Sequence, residues 1–242
     1  MLGATLPQRL MGTGPGNAAG HWEPWRLVEY NERLLADLGS SWHDWDRLDL
    51  KQLSAASRDQ IASDMREIVE EDFGTASLFV LKDPRISRFA PFFVGALDVA
   101  GIGVCALVTF RNPLDVIESL TVRREFWPDD LDRSDAALLW LSHMLDAEQA
   151  ARDLPHAFVS FEAIMADPTA VMGRVIDKLG IVTPISVEQA APDMAEFLSE
   201  SHRHHTHRPD EVLLDPQLNG WVADSYSALR DLEADRNLTG AR

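Results

Sequence analysis

Gly103-Val104-Cys105-Ala106-Leu107-Val108-Thr109-Phe110 is a run of small, apolar and β-branched residues that ends in Arg111-Asn112-Pro113. A run this short and this apolar reads as a strand buried on both faces, the habit of parallel sheets. Asn112 suits a helix N-cap and Pro113 the first helical residue. The strand therefore passes directly into a helix, with Val116, Ile117 and Leu120 as its inward stripe. A strand that feeds a helix at once is the building unit of α/β sheets.

The same pattern recurs on both sides of this stretch. Ser77-Leu78-Phe79-Val80-Leu81 reads as a second buried strand, followed by Lys82-Asp83-Pro84-Arg85 and a helix to Ala100. His156 to Phe161 reads as a third, followed by Glu162. Pro24 opens a helix with Trp25, Val28 and Leu35 on one side, and residues 54–71 form a charged amphipathic helix on Ile61, Met65, Ile68 and Val69. Ser134 caps a helix that runs toward Arg152 on Leu138, Leu141 and Leu145. Asp167-Pro168 starts another on Val171, Met172, Val175, Ile176 and Leu179, and Gly180 stops it. A last helix spans Asn219 to Asp235. Residues 1–20 carry Gly, Pro and small residues and read as an irregular segment, and residues 201–208 read as a polar loop. Strands alternating with helices predict one α/β domain over residues 1–242, a parallel sheet flanked by helices, with no internal boundary.

Composition narrows the partners. Lys and Arg number 22 against 39 acidic residues, a net charge of −17. Such a surface repels nucleic acid, anionic membrane and sulfated polysaccharide at long range, so neither nucleic acid nor membrane is expected as a partner. A site for a phosphorylated ligand must then be built from local cations. No apolar run approaches the roughly 20 residues of a membrane span, and residues 1–20 lack the apolar core of a secretory signal. One cysteine, Cys105, excludes an internal disulfide framework; it reads as an inert mid-strand residue in a reducing, cytoplasmic setting.

Ligands of parallel α/β sheets bind beyond the C-terminal strand ends. Lys82, Asp83 and Arg111 fall there, which suits a polyanion. Arg111 precedes a helix N-terminus, where free N–H groups and the helix dipole favour a phosphate. Ser119 is eight residues on, roughly 10 Å up the helix at about 1.5 Å per residue, and Arg123 is one turn further.

Arg111-Asn112-Pro113-Leu114-Asp115-Val116-Ile117-Glu118-Ser119 resembles the 3′-phosphate-binding segment of sulfotransferases that use 3′-phosphoadenosine-5′-phosphosulfate. Other stretches resemble the bacterial members in the same order: Gly20-His21-Trp22-Glu23, Leu81-Lys82-Asp83-Pro84-Arg85, Phe161-Glu162 with Ala166-Asp167-Pro168, and Arg203-His204-His205. The resemblance implies a P-loop-type parallel sheet and in-line sulfuryl transfer to the hydroxyl or amine of a small-molecule acceptor, without a metal. It implies that Arg111, Ser119 and Arg203 hold the donor nucleotide, and that Trp22, Glu23 and Arg85 meet the acceptor. Lys82 is the candidate for the leaving-group oxygen and Asp83 the candidate base.

One departure stands out. The family opens with a strand and a Gly-x-x-Arg-Ser-Gly-Thr loop that grips the 5′-phosphosulfate. Gly12-Thr13-Gly14-Pro15-Gly16 has the glycines but lacks the basic residue and the preceding strand. The expectation is a sheet missing its first strand, with open edges covered by a homodimer partner or by another segment, or else left prone to aggregation. Transfer by this chain should be poor. The alternative reading is a nucleotide- or partner-binding remnant without transfer. A P-loop kinase relative fits less well, because no Walker lysine motif occurs. The histidines between His202 and His207 read as part of a polar loop rather than as metal ligands.

Overall fold

The computed structural model describes residues 1–14, 20–122, 132–198 and 207–234. They fall into two compact units, Gly3–Val104 and Cys105 onward with Met1–Leu2.

The first unit is helical. Helix α1 (Trp25–Asp37) follows Pro24, and a single 3-10 turn (Leu50–Gln52) leads to α2 (Ala55–Phe73), capped by the Ser54 side chain on the Ser57 N–H. Helix α3 (Ile86–Val99) starts just after Arg85. Leu27, Tyr30, Leu34 and Leu35 of α1 pack with Ile61 and Met65 of α2 and with Phe89 and Phe93 of α3. A smaller cluster joins Val69, Phe73 and Leu97 to Phe79 and Leu81.

The expected strand over Ser77–Leu81 does not form. It is reduced to one parallel bridge between Phe79 and Thr5, with Val80 59% exposed. The cause lies in its partner. Thr5 N–H donates to the Leu78 carbonyl at 2.8 Å. In a parallel ladder the next donor on that arm is residue 7, and Pro7 has no N–H. Residues 9–12 of the same arm run beside 21–25: Met11 N–H donates to the Glu23 carbonyl, Trp22 N–H to the Met11 carbonyl, His21 N–H to that of Gly12 and Trp25 N–H to that of Arg9.

The second unit carries a two-stranded parallel sheet. Strand β1 (Ala106–Phe110) pairs with β2 (His156–Ser160) in the register Ala106 opposite His156 through Phe110 opposite Ser160. The crossover runs through α4 (Pro113–Val122) and α5 (Arg133–Ala151). Then follow α6 (Phe161–Ala166), α7 (Pro168–Leu179), α8 (Val187–Phe197), α9 (Pro209–Leu214) and α10 (Gly220–Glu233). Val108, Phe110 and Phe158 face α4, α5 and α10 through Ile117, Trp140 and Tyr226. Ala157 and Val159 face Val171 and Val175 of α7 on the other side. Gly180 ends α7 in the left-handed conformation, φ 63°, which a Cβ would disfavour.

These residues form an α/β unit with a parallel sheet flanked by helices, as the alternation implied. Four local expectations need correction. Strand β2 is covered on both faces, whereas β1 alternates, with Leu107 and Thr109 exposed. Cys105 precedes β1 and is exposed, not a core residue. Helix α5 is capped by Asp132 rather than Ser134, because the Asp132 carboxylate accepts from the Ser134 and Asp135 N–H groups, and its Leu145 faces outward. Among the described residues no helix is long and apolar enough to cross a membrane.

Asp72 on α2 gives a measurable consequence. It is buried, and its Oδ2 has no hydrogen-bond partner. Burial pushes its carboxyl up from the usual range, against the opposing pull of Arg26 and the Gln8 backbone. The folded state thus holds this proton more tightly than the unfolded state. Its contribution is favourable below the unfolded pKa and is lost as pH rises through the raised folded value. Asp72→Asn should therefore stabilise the protein at pH 7–8, by roughly 1 kcal/mol, and remove the fall in stability with rising pH that this carboxyl contributes. Urea unfolding across pH 4–8 checks this; an equal or greater loss of stability at pH 8 than at pH 4 would count against it.

Candidate functional site

In the first unit a polar knot gathers four of the residues singled out from the sequence. Its centre is Asp83, whose side chain has no exposed surface. Asn31 Nδ2 donates to Asp83 Oδ2 at 2.7 Å. Arg85 donates to Asp83 Oδ1 twice, from its backbone N–H at 3.0 Å and from Nη1 at 2.8 Å. Arg85 Nε reaches Glu32 Oε1 at 2.6 Å, and Arg85 Nη1 lies 3.7 Å from Glu23 Oε2. Lys82 Nζ donates to Glu23 Oε1 at 2.6 Å and to the His21 carbonyl at 2.9 Å. Burial opposes the Arg85 charge, but Asp83 and then Glu32 outweigh it and raise the guanidinium above its ordinary range.

Sequence order explains the knot. Asp83 and Arg85 sit on the tight passage into α3, and Asp83 Oδ1 bonds the N–H two residues on, the geometry of an Asx turn. Asn31 occupies an inward position of α1, between Leu27 and Leu34. Trp22 stands next to the knot in sequence with φ 57° and is 47% exposed. A bulky residue in the left-handed region costs about 1–2 kcal/mol, and here the pairing of Met11 with Trp22 and Glu23 holds it. Lys82 is the half-exposed cation of the group, while Glu23 is buried.

In the second unit Arg111 leaves the C-terminal end of β1 at the start of α4. Its Nε donates to Asp115 Oδ2 at 3.1 Å, and its guanidinium lies 4.5 Å over the Phe161 ring. Trp140 Nε1 donates to the Arg111 carbonyl at 3.3 Å. Ser119 is half-buried on the same helix. The helix start differs from the expectation of free N–H groups for a phosphate. Asn112 N–H donates to Glu162 Oε1 at 3.3 Å, Pro113 has none, and Leu114 N–H donates to Asn112 Oδ1 at 3.0 Å. With two of the first donors taken and one missing, more of the work of holding an anion here falls to side-chain charge. Arg203, Arg123 and the histidines at 202, 204 and 205 lie outside the described residues.

Sequence reasoning missed several participants. Asn31 and Glu32 complete the Asp83–Arg85 knot, and an asparagine inside an apolar helical stripe was the available signal. His207 meets Asp115 from 92 positions away, for which no local signal exists. Lys82 and Asp83 belong to one unit, Arg111 and Ser119 to the other. No protein-family model, curated protein or solved structure matches the chain.

The burial of Asp83 sets a ranking of variants. Asp83→Ala strands the Arg85 guanidinium and the Asn31 amide and should cost about 3 kcal/mol or more. Glu32→Ala removes the more exposed partner of the same arginine and should cost under about 1 kcal/mol. Denaturant unfolding of both variants decides; comparable losses would contradict the ranking.

Proposed function

We propose that this chain is a sulfotransferase-type protein that binds a 3′-phosphoadenosine nucleotide through α4. The observation that carries the reading is Arg111 at the end of β1, braced by Asp115 and Phe161, with Ser119 two turns along the same helix. A planar guanidinium with a fixed edge suits a phosphate, because its fork matches two oxygens at once. The fold would then be a P-loop-type α/β fold in a cytoplasmic protein. In the full reaction the hydroxyl or amine of a small acceptor attacks the sulfur of 3′-phosphoadenosine-5′-phosphosulfate. The bond from sulfur to the bridging phosphate oxygen breaks, and adenosine 3′,5′-bisphosphate leaves. The resemblance would give Lys82 the charge on that oxygen, Asp83 the acceptor proton, and Trp22, Glu23 and Arg85 the acceptor.

A second reading has its own support. Asp83 is wholly enclosed and both of its oxygens are occupied, an arrangement that suits a structural carboxylate better than a base. A protein that binds the nucleotide without transferring sulfate fits that observation.

Calorimetry tests the shared premise. Adenosine 3′,5′-bisphosphate should bind more tightly than adenosine 5′-monophosphate, and Arg111→Ala should lose most of the difference, roughly 1.5–3 kcal/mol for a charge-assisted contact. Equal affinity for the two nucleotides, or binding of neither, would overturn the proposal. A radiolabelled-sulfate assay over alcohols, phenols and amines then separates the readings: turnover supports transfer, and binding without turnover supports the second.

A further inference from the structure

Asp115 is the meeting point of two segments of the second unit. Its side chain is almost wholly buried, and three donors converge on it. Arg111 Nε takes Oδ2 at 3.1 Å, while the His207 N–H and ring Nδ1 take Oδ1 at 2.9 and 2.8 Å. A carboxylate only accepts, so Nδ1 is the donor in that last bond. The far ring nitrogen, Nε2, lies 3.2 Å from Glu118 Oε1. Asn112 Nδ2 adds hydrogen bonds to the carbonyls of His207 and Arg208 at 3.1 and 3.4 Å.

We infer that His207 is a positioning residue that sets the Arg111 guanidinium through Asp115. The chain of contact is short and directional. His207 fixes one carboxylate oxygen by two bonds, which fixes the plane of the carboxylate and hence the oxygen offered to Arg111 Nε. Arg111 in turn holds its guanidinium carbon 4.5 Å from the centre of the Phe161 ring, so a rotation of Asp115 would draw it off that ring. Without the ring, Asp115 keeps the His207 amide but loses the bond that resists rotation. The functional side of this inference rests on the reading of Arg111 as a phosphate ligand; the coupling itself does not.

Two conservative variants separate positioning from general support. Asparagine places an amide N–H where His207 carries Nδ1, facing Asp115. Glutamine reaches one bond further, toward Glu118, and leaves Asp115 Oδ1 with the backbone donor alone. The first measurement needs no ligand: hydrogen exchange of the Arg111 Nε–H by NMR, assigned by its loss in Arg111→Lys. His207→Gln should accelerate it and His207→Asn should leave it near the native rate. The second is the preference for adenosine 3′,5′-bisphosphate over adenosine 5′-monophosphate. It should fall about fivefold in His207→Gln, the scale of one hydrogen bond, and return to within about twofold of native in His207→Asn. Exchange that is the same in all three proteins overturns the inference, as does equal loss in both variants. Exchange that responds as expected in a protein with no preference between the nucleotides upholds the His207–Arg111 coupling and rejects the phosphate role.

Discussion

The wholly buried side chain of Asn112 is the constraint around which the second unit is arranged. A buried amide left without partners would cost about 1–3 kcal/mol, and this one is met on both sides. Its oxygen caps α4 through the Leu114 N–H, and its nitrogen holds the carbonyls of residues 207 and 208. Its backbone N–H is taken by Glu162, at the point where β2 gives way to α6. One residue therefore ties β1, α4, α6 and the approach to α9 together. The apolar core of Ile117, Trp140 and Tyr226 supplies most of the driving force. Asn112 decides which ends meet, because hydrogen bonds are directional and apolar contacts are not.

The same satisfaction of backbone groups changes the electrostatics. A helix start usually offers spare N–H groups to an anion. In α4 two of the first donors are consumed by Glu162 and by the Asn112 cap, and Pro113 has none to give. Asp115, Glu118 and Glu162 also put carboxylates around the first two turns. Burial and then Glu162 push the Tyr226 hydroxyl up to about 12, so the phenol beneath stays neutral. On a chain of net charge −17 this neighbourhood rejects anions unless a cation is fixed in place. That gives the bracing of Arg111 by Asp115 and Phe161 its importance: a guanidinium free to fold back onto several carboxylates would be spent on them.

How much of this was legible follows from where each signal resides. Strand β1, its capped helix and the Gly180 stop were readable because each depends on residues a few positions apart. Helix α8 was passed over although its Ser186 and Gln189 form a capping box, a local signal that was present. The short helices α6 and α9 carry too few residues to show a period. The Ser77–Leu81 stretch misled for the opposite reason. Its own residues suit a strand, but pairing is a property of two segments, and the other one contains Pro7. Among the proposed site residues, those within one motif were visible, and those joined across the fold were not. Glu23, Lys82 and Arg85 were singled out separately, yet nothing in sequence says that Lys82 bonds Glu23 or that Arg85 lies near it.

That knot also bears on what a carboxylate at position 83 can do. A general base needs an open lone pair and a route for the proton. Asp83 offers neither in accessible form as it stands, since Arg85 takes Oδ1 twice, Asn31 takes Oδ2, and the side chain has no exposed surface. Arg85 could withdraw only by giving up Glu32 as well, because the same guanidinium serves both carboxylates. Lys82 is less restrained: it is half-exposed and bound to Glu23 and the His21 carbonyl on the edge of the cluster. Its own charge can return to water, but the Glu23 it leaves is buried with Arg85 Nη1 at 3.7 Å, so the move costs more than breaking an exposed pair. The division of labour that follows is physical. Asp83 and Arg85 fix the geometry of the passage into α3, and Lys82 is the charge in this cluster with the most freedom to meet a ligand.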